Sequence, residues 1–238
     1  VQGFLDMHGM PYTGSGVLAS ALSFDKGACN TFLRGQNGIN IIPSVILSNT
    51  EQIDISEIEK RIGIPCFVKP CRAGSSYGVS KVNTLAELEP AILEAFSFDT
   101  SILIERFIDG IEVSNGVFSV KGEITSLPVT EIIPEGNFFD YDAKYKGTSK
   151  EITPARIGEE LTIKIQETSR KVFSLLGLKG MARADYIIKD NLPYLIEVNT
   201  VPGLSEESIL PQQVVKTGMT LGNFFGGLIH DALDQARS

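Results

Sequence analysis

Two apolar runs, "MARADYII" (181–188) and "YLIEVNT" (194–200), flank the turn-forming stretch "KDNLP" (189–193). Such a pair reads as a β-hairpin and fixes two adjacent antiparallel strands. With Ile188 opposite Tyr194, Asp185 falls opposite Glu197 and Arg183 opposite Asn199. Residues two apart share a face, so all four side chains point the same way. Directly opposed carboxylates repel each other. A divalent cation between them turns that repulsion into attraction, and Asp, Glu and an amide carbonyl are oxygen ligands that Mg2+ accepts. The same residues also suit a solvated sheet face on which Arg183 neutralises one acid. Spacing alone leaves both readings open.

A second stretch, "VKPCRAGSSYGVS" (68–80), ends an apolar strand on Lys69 and then sheds nearly every bulky side chain. Glycine-rich backbone lets N–H groups close around an anion. A Walker A loop needs Gly-Lys, and the chain contains no such dipeptide. The loop therefore holds the parts of a phosphate site without being a P-loop, and an ordinary hairpin turn is the alternative. Lys26, in the helical stretch 16–36, can reach the same phosphates or lie on the surface. "TGSGVLA" (13–19) has the spacing GxGxxA, but no apolar strand precedes it, so a loop leading into a helix is the better account.

The remaining pattern mixes strands and helices throughout. Strands are expected at 41–47, 64–70, 78–82, 101–110, 111–121 and 123–133. Helices are expected at 54–63 with a glycine stop, at 84–96 with a Thr84/Glu87 capping box, and at 159–177. The class is α+β with two lobes meeting near residues 104–110. Glu105 ends one strand and Glu112 follows the turn, each a surface acid or an acceptor for a base amino group or ribose hydroxyl. Residues 134–155 have no period and are long for a connection, as lids and binding loops are. They carry Lys144 and Tyr145.

Composition narrows the partners. A net charge of −8 argues against nucleic acid, which needs clustered Lys and Arg. No apolar run reaches membrane-spanning length, and no signal segment opens the chain. Cys29, Cys66 and Cys71 form no CxxC, as expected of reduced cytosolic thiols, buried or idle. His8 and His230 lie far from each other and from any acid pair, which leaves a Ser-His-Asp triad unsupported.

Taken together, "PYTGSGVLASALSFDK", "FVKPCRAGSSYGVSKV", "LIERFIDGIEV", "FFDYDAKY", "ARADYII" and "YLIEVNTVPGLSEESILP" resemble the ATP-grasp ligases, and among them the D-alanine–D-alanine ligase family. The resemblance covers nearly the whole chain. It implies an ATP-grasp fold whose two lobes clasp ATP: residues 15–104 as central lobe and 105–238 as C-terminal lobe with a lid at 134–151. Residues 1–14 would be the remnant of an N-terminal lobe. It implies that Lys26 and Lys69 bind ATP phosphates beneath the loop Gly74, Ser75 and Ser76. Glu105, Arg106, Phe107, Ile108 and Glu112 would hold adenine and ribose, with Ile187 against the adenine. Asp185, Glu197 and Asn199 would hold two Mg2+ or Mn2+. Arg183 and the Gly203 amide would stabilise the oxyanion, Ser208 would hold the second alanine's carboxylate, and Lys144 and Tyr145 would close the site.

The implied activity is ATP-dependent joining of two D-alanine molecules through an acyl phosphate, in a cytoplasmic enzyme of cell wall synthesis that is a homodimer at full length. Another ATP-grasp carboxylate–amine ligase, or a module that binds Mg·ATP without turnover, are the alternatives. The chain departs from the family at Ala73, where many members have glutamate, and at Glu207, where many have histidine.

Overall fold

The computed structural model describes residues 1–50, 53–134 and 149–236. Two sheets organise it. Strands β1 (Asn40–Ile41), β6 (Ile111–Val120), β7 (Glu123–Pro134), β8 (Ser149–Ile152), β9 (Met181–Lys189) and β10 (Leu192–Asn199) form a six-stranded sheet. Its order is β1-β10-β9-β6-β7-β8, antiparallel except for β1 on β10. The other sheet has the order β2-β5-β3-β4, built from β2 (Ser44–Leu47), β3 (Cys66–Pro70), β4 (Ser80–Val82) and β5 (Ile102–Arg106).

Helices cover these sheets where alternation leaves apolar faces. On the large sheet, α2 (Val17–Phe24), α3 (Lys26–Leu33) and α6 (Glu159–Leu175) bury Leu33, Val172 and Phe173 against Val113, Val117 and Tyr186. The Tyr186 hydroxyl pairs with Ser169 Oγ at 2.8 Å, as a fully buried phenol must. At the other end, α7 (Ile209–Lys216) and α8 (Leu221–Gln235) pack Leu210, Val214, Phe224 and Leu228 on Phe118 and Leu127. The small sheet has its own core with α4 (Ile55–Ile62) and α5 (Leu85–Phe96). A short α1 (Gln2–Met7) precedes them all.

Several sequence expectations hold. Asp54 caps α4 by accepting from Glu57 N at 3.0 Å, and Gly63 ends that helix at φ 78°. Strand β4 returns antiparallel along β3. At α5 the glutamate limb of the capping box forms one residue early, with Glu87 accepting from Asn83 N at 2.8 Å, while the Thr84 side chain makes no cap bond.

Other expectations need correction. The single helix at 16–36 is two, because Asp25 leaves the helix (ψ 100°) and caps α3 by accepting from Ala28 N at 2.9 Å. The strand at 41–47 is also two, split at Pro43 and assigned to different sheets. A proline has no N–H to continue a ladder. Hence α2, α3 and β1 belong with the large sheet although they precede residue 104, while β5 runs on to Arg106 in the small one. Chain order and sheet membership therefore interleave around this point. Finally, residues 149–152 within the expected irregular segment form β8, paired with β7.

Candidate functional site

The hairpin places its acids through a feature absent from the simple reading. The turn is only Asp190 and Asn191, both left-handed (φ 52° and 59°), so Leu192 pairs with Lys189 and Ile187, not Ile188, lies opposite Tyr194. The register then shifts between Leu195 and Glu197, with Ile196 as the extra residue. From there Glu197 pairs with Asp185 and Asn199 with Arg183, as expected. Residues 196–199, from the bulge to the strand end, all line the cleft.

Asp185 is the hub of this wall. Arg183 donates to it twice, Nε to Oδ1 at 2.9 Å and a terminal nitrogen to Oδ2 at 2.8 Å. Ser114 Oγ, in register on β6, donates to Oδ1 at 2.6 Å. Asn199 Nδ2 donates to Asp185 Oδ2 at 3.0 Å and lies 3.4 Å from Glu197 Oε1. Burial works against the Arg183 charge, but Asp185 outweighs it and raises the guanidinium above its ordinary value. Behind the wall, Gln213 of α7 accepts from Gly116 N at 2.8 Å and donates to Ser114 O at 2.9 Å, pinning the β6 irregularity between Asn115 and Val117.

The donor set fits a hard divalent cation. It offers two carboxylates and an amide that, rotated by half a turn, presents oxygen where its nitrogen now bridges both acids. Among the described residues there is no cluster of three His, Cys, Asp or Glu.

The facing wall is basic. Lys69 is 7% exposed and pairs with Glu105 Oε2 at 2.5 Å, while Asn30 Nδ2 donates to the other Glu105 oxygen at 3.1 Å. Both oxygens of Glu105 thus have protein partners, and a ligand meets that carboxylate together with the Lys69 ammonium. Lys26 opens α3. Its Nζ donates to Ala73 O at 2.8 Å and stands 3.6 Å from Glu197 Oε2. Burial lowers the Lys26 pKa; Glu197 counters this, and the neighbouring Lys69 adds to it. In the loop, Ser75 and Ser76, not the glycine between Ala73 and Ser75, adopt positive φ (53° and 56°).

Between these walls lies a cleft of about 520 Å³. Lys26, Lys69, Gly74, Ser75 and Ser76 line it on one side, Asp185, Glu197 and Asn199 on another. The segment joining the sheets supplies Glu105, Arg106, Phe107, Ile108 and Glu112, with Ile187 below. Arg183 is not in the lining and pairs with Asp185, which is. Gly203 and Ser208 stand beyond its lining and beside each other: a Cβ on Gly203 would meet Ser208 Oγ at 2.7 Å. Lys144 and Tyr145 lie outside the described residues. The three cysteines are free and buried, with burial pushing the Cys29 thiol up to about 12 and Cys66 to about 11. His8 and His230 are exposed and are not part of the cleft lining.

Sequence reasoning missed Asn30, Ser114 and Gln213. Ser114 and Asn115 had a signal, as polar residues in the middle of the apolar run "IEVSNGVF". Asn30 and Gln213 had none beyond being amides in helices.

A family model described as "D-ala D-ala ligase C-terminus" matches residues 33–230. Proteins named D-alanine--D-alanine ligase match at 46% identity from Flavobacterium johnsoniae, over 98% of this chain and 72% of the relative. The one from Parabacteroides distasonis matches at 44%, over 100% and 72%. Among solved structures, the Bacillus anthracis D-alanine--D-alanine ligase complexed with ATP superposes with TM-score 0.84 at 31% identity, over 99% of this chain and 75% of that one. The VanG D-Ala:D-Ser ligase from Enterococcus faecalis gives TM-score 0.86 at 34% identity, over 96% and 67%.

Proposed function

The chain belongs to the D-alanine–D-alanine ligase family, and from that premise we propose that its cleft joins two D-alanine molecules with ATP, forming D-alanyl-D-alanine for peptidoglycan precursors. One observation carries the assignment to this cleft. Lys26 and Lys69 from one side, and the Asp185, Glu197 and Asn199 set from the other, converge on one space, with Lys26 Nζ only 3.6 Å from Glu197. Cations opposite metal-binding acids are what a polyphosphate between them requires.

In this reading Lys26 and Lys69 hold the ATP phosphates beneath Gly74, Ser75 and Ser76. Residues 105–108 and Glu112 hold adenine and ribose, and Ile187 packs on the base. Asp185, Glu197 and Asn199 hold Mg2+ or Mn2+, which when bound neutralises phosphate charge. A carboxylate oxygen of the first D-alanine attacks the γ-phosphorus, and ADP leaves. The amine nitrogen of the second attacks the acyl carbon, loses a proton, and phosphate departs. Arg183 and the Gly203 amide steady the oxyanion of that step, and Ser208 takes the second carboxylate. Lys144 and Tyr145 close over the reactants. No protein nucleophile takes part; positioning and charge stabilisation supply the rate.

The two-lobe division at 104/105 belongs to the same proposal, as do a homodimer and a cytoplasmic location. Among the described residues no helix is long and apolar enough to cross a membrane. Calorimetric titration of the chain with ATP, with and without Mg2+, tests the site. Magnesium-dependent binding followed by D-alanine-dependent phosphate release supports the reading. ATP binding without turnover supports the Mg·ATP module instead, and no binding sinks the nucleotide site.

A further inference from the structure

Two consecutive non-glycine residues in the left-handed region, Ser75 and Ser76, persist only where their surroundings over-determine them. Inside the loop, Tyr77 N donates to Gly74 O at 3.2 Å and Val79 N to Ser76 O at 3.3 Å. One short segment, residues 98–101 after α5, adds contacts from outside the loop.

That segment grips both ends of the loop. At the entry, Asp99 accepts from Arg72 N at 2.8 Å and from Arg72 Nε at 3.1 and 3.2 Å, and its Oδ1 also pairs with a terminal guanidinium nitrogen. The same nitrogen donates to Thr100 Oγ1 at 2.8 Å, and Ser101 O accepts from Cys71 N at 2.9 Å. At the exit, the Phe98 ring lies against Gly78 so closely that a Cβ there would meet Phe98 Cδ2 at 2.6 Å. From the other side Arg72 Nε stands 3.9 Å from Asp25, the cap of the helix that starts with Lys26. Lys26 N also donates to Cys71 O at 3.0 Å. The Arg72–Asp99 pair therefore links the loop entry to the helix that carries a cleft lysine, although neither residue lines the cleft.

We infer that Arg72 and Asp99 are positioning residues for the phosphate loop, and that Phe98 fixes its exit by packing over Gly78. The inference rests on the reading of this loop as the ATP phosphate site. Asp99 has a side chain only 6% exposed, whereas Arg72 is 45% exposed, so the pair is a half-open fork. Pairs of that kind add little to overall stability. A bidentate fork is also a geometry that lysine cannot reproduce.

The test measures the ATP dissociation constant with Mg2+, the adenosine dissociation constant, and the melting temperature for the unaltered chain, Asp99→Asn and Arg72→Lys. Both variants should weaken ATP about tenfold, or about 1.4 kcal/mol. Adenosine, which has no phosphate to place, should bind as before, and Tm should move by no more than about 4 °C. Gly78→Ala should weaken ATP as well, and Phe98→Ala on that background should restore part of the loss. Unchanged ATP affinity in Asp99→Asn, or equal losses for ATP and adenosine, would overturn the inference while leaving the nucleotide reading intact. Failure of the unaltered chain to bind ATP overturns that reading, and the inference with it.

Discussion

The acidic wall and the basic wall of the cleft do similar electrostatic work but are made differently. Ser114, Asp185 and Glu197 are register partners across β6, β9 and β10, so one sheet face sets their spacing. Lys26, Lys69 and the serine loop come from a helix start, a strand end and a strained turn, joined by side-chain and backbone bonds across the chain. A sheet fixes its side chains by a ladder of main-chain bonds that a side-chain substitution other than proline leaves intact. An assembled wall depends on individual contacts, and losing one moves a functional group. The contrast predicts which changes are structural, which are functional, and which are both.

The sharpest test is Lys69→Met. It leaves Glu105, 3% exposed, without its ion-pair partner and with the Asn30 amide still donating to it. Breaking a buried pair in this way costs about 3–5 kcal/mol because the remaining charge is uncompensated. Denaturant unfolding should show that loss, together with loss of ATP binding. The double variant Lys69→Met/Glu105→Gln should recover most of the stability and none of the ATP affinity. A double variant as unstable as the single one would place the cost in packing, and one that binds ATP would remove Lys69 from the nucleotide site.

Next in size is the joint between the walls. Gly110 follows the segment that leaves the small sheet, and a Cβ there would sit 2.2 Å from Ile188 O on β9. Backbone cannot yield as a flexible side chain can, so Gly110→Ala should cost about 1–3 kcal/mol by denaturant unfolding. Gly226→Ala, in the middle of α8 with no atom within 4 Å, is the control and should add about 0.5–1 kcal/mol. Equal behaviour of the two would mean that the joint has more slack than the distance implies.

The two walls also differ in how far the sequence revealed them. The pairing of Asp185 with Glu197 was legible because alternation is a local signal that tolerates a wrong turn. The two-residue turn at Asp190 and Asn191 puts the strands one position off near the loop, and the Ile196 bulge restores the register at the site. Nothing in the composition of "YLIEVN" marks that bulge. Lys69 is legible as a cation at a strand end, whereas its buried pairing with Glu105 is not. The pairing follows from β3 lying beside β5, which is long-range information. The break at Asp25 was hidden for a related reason: apolar periodicity ran through both helices, and only the capping chemistry of aspartate argued for a stop.

The finest distinction lies in protons. Burial depresses the Lys26 pKa, with Glu197 opposing and Lys69 reinforcing the effect. A lysine whose folded pKa lies below the unfolded value of about 10.4 costs stability while charged. That cost is relieved as pH rises through the folded pKa, because the native chain then sheds its proton before the unfolded one does. A triphosphate beside Lys26 acts in the opposite sense and favours the charged form. Stability should therefore rise, and ATP affinity fall, over the same alkaline window below about pH 10.4. Calorimetry of ATP binding in two buffers of different ionisation enthalpy should report fractional proton uptake at about pH 9 and almost none at about pH 7. Lys26→Met should abolish the uptake. Uptake that survives this substitution would assign the proton to another group, and its absence in the unaltered chain would mean that the phosphates do not reach Lys26.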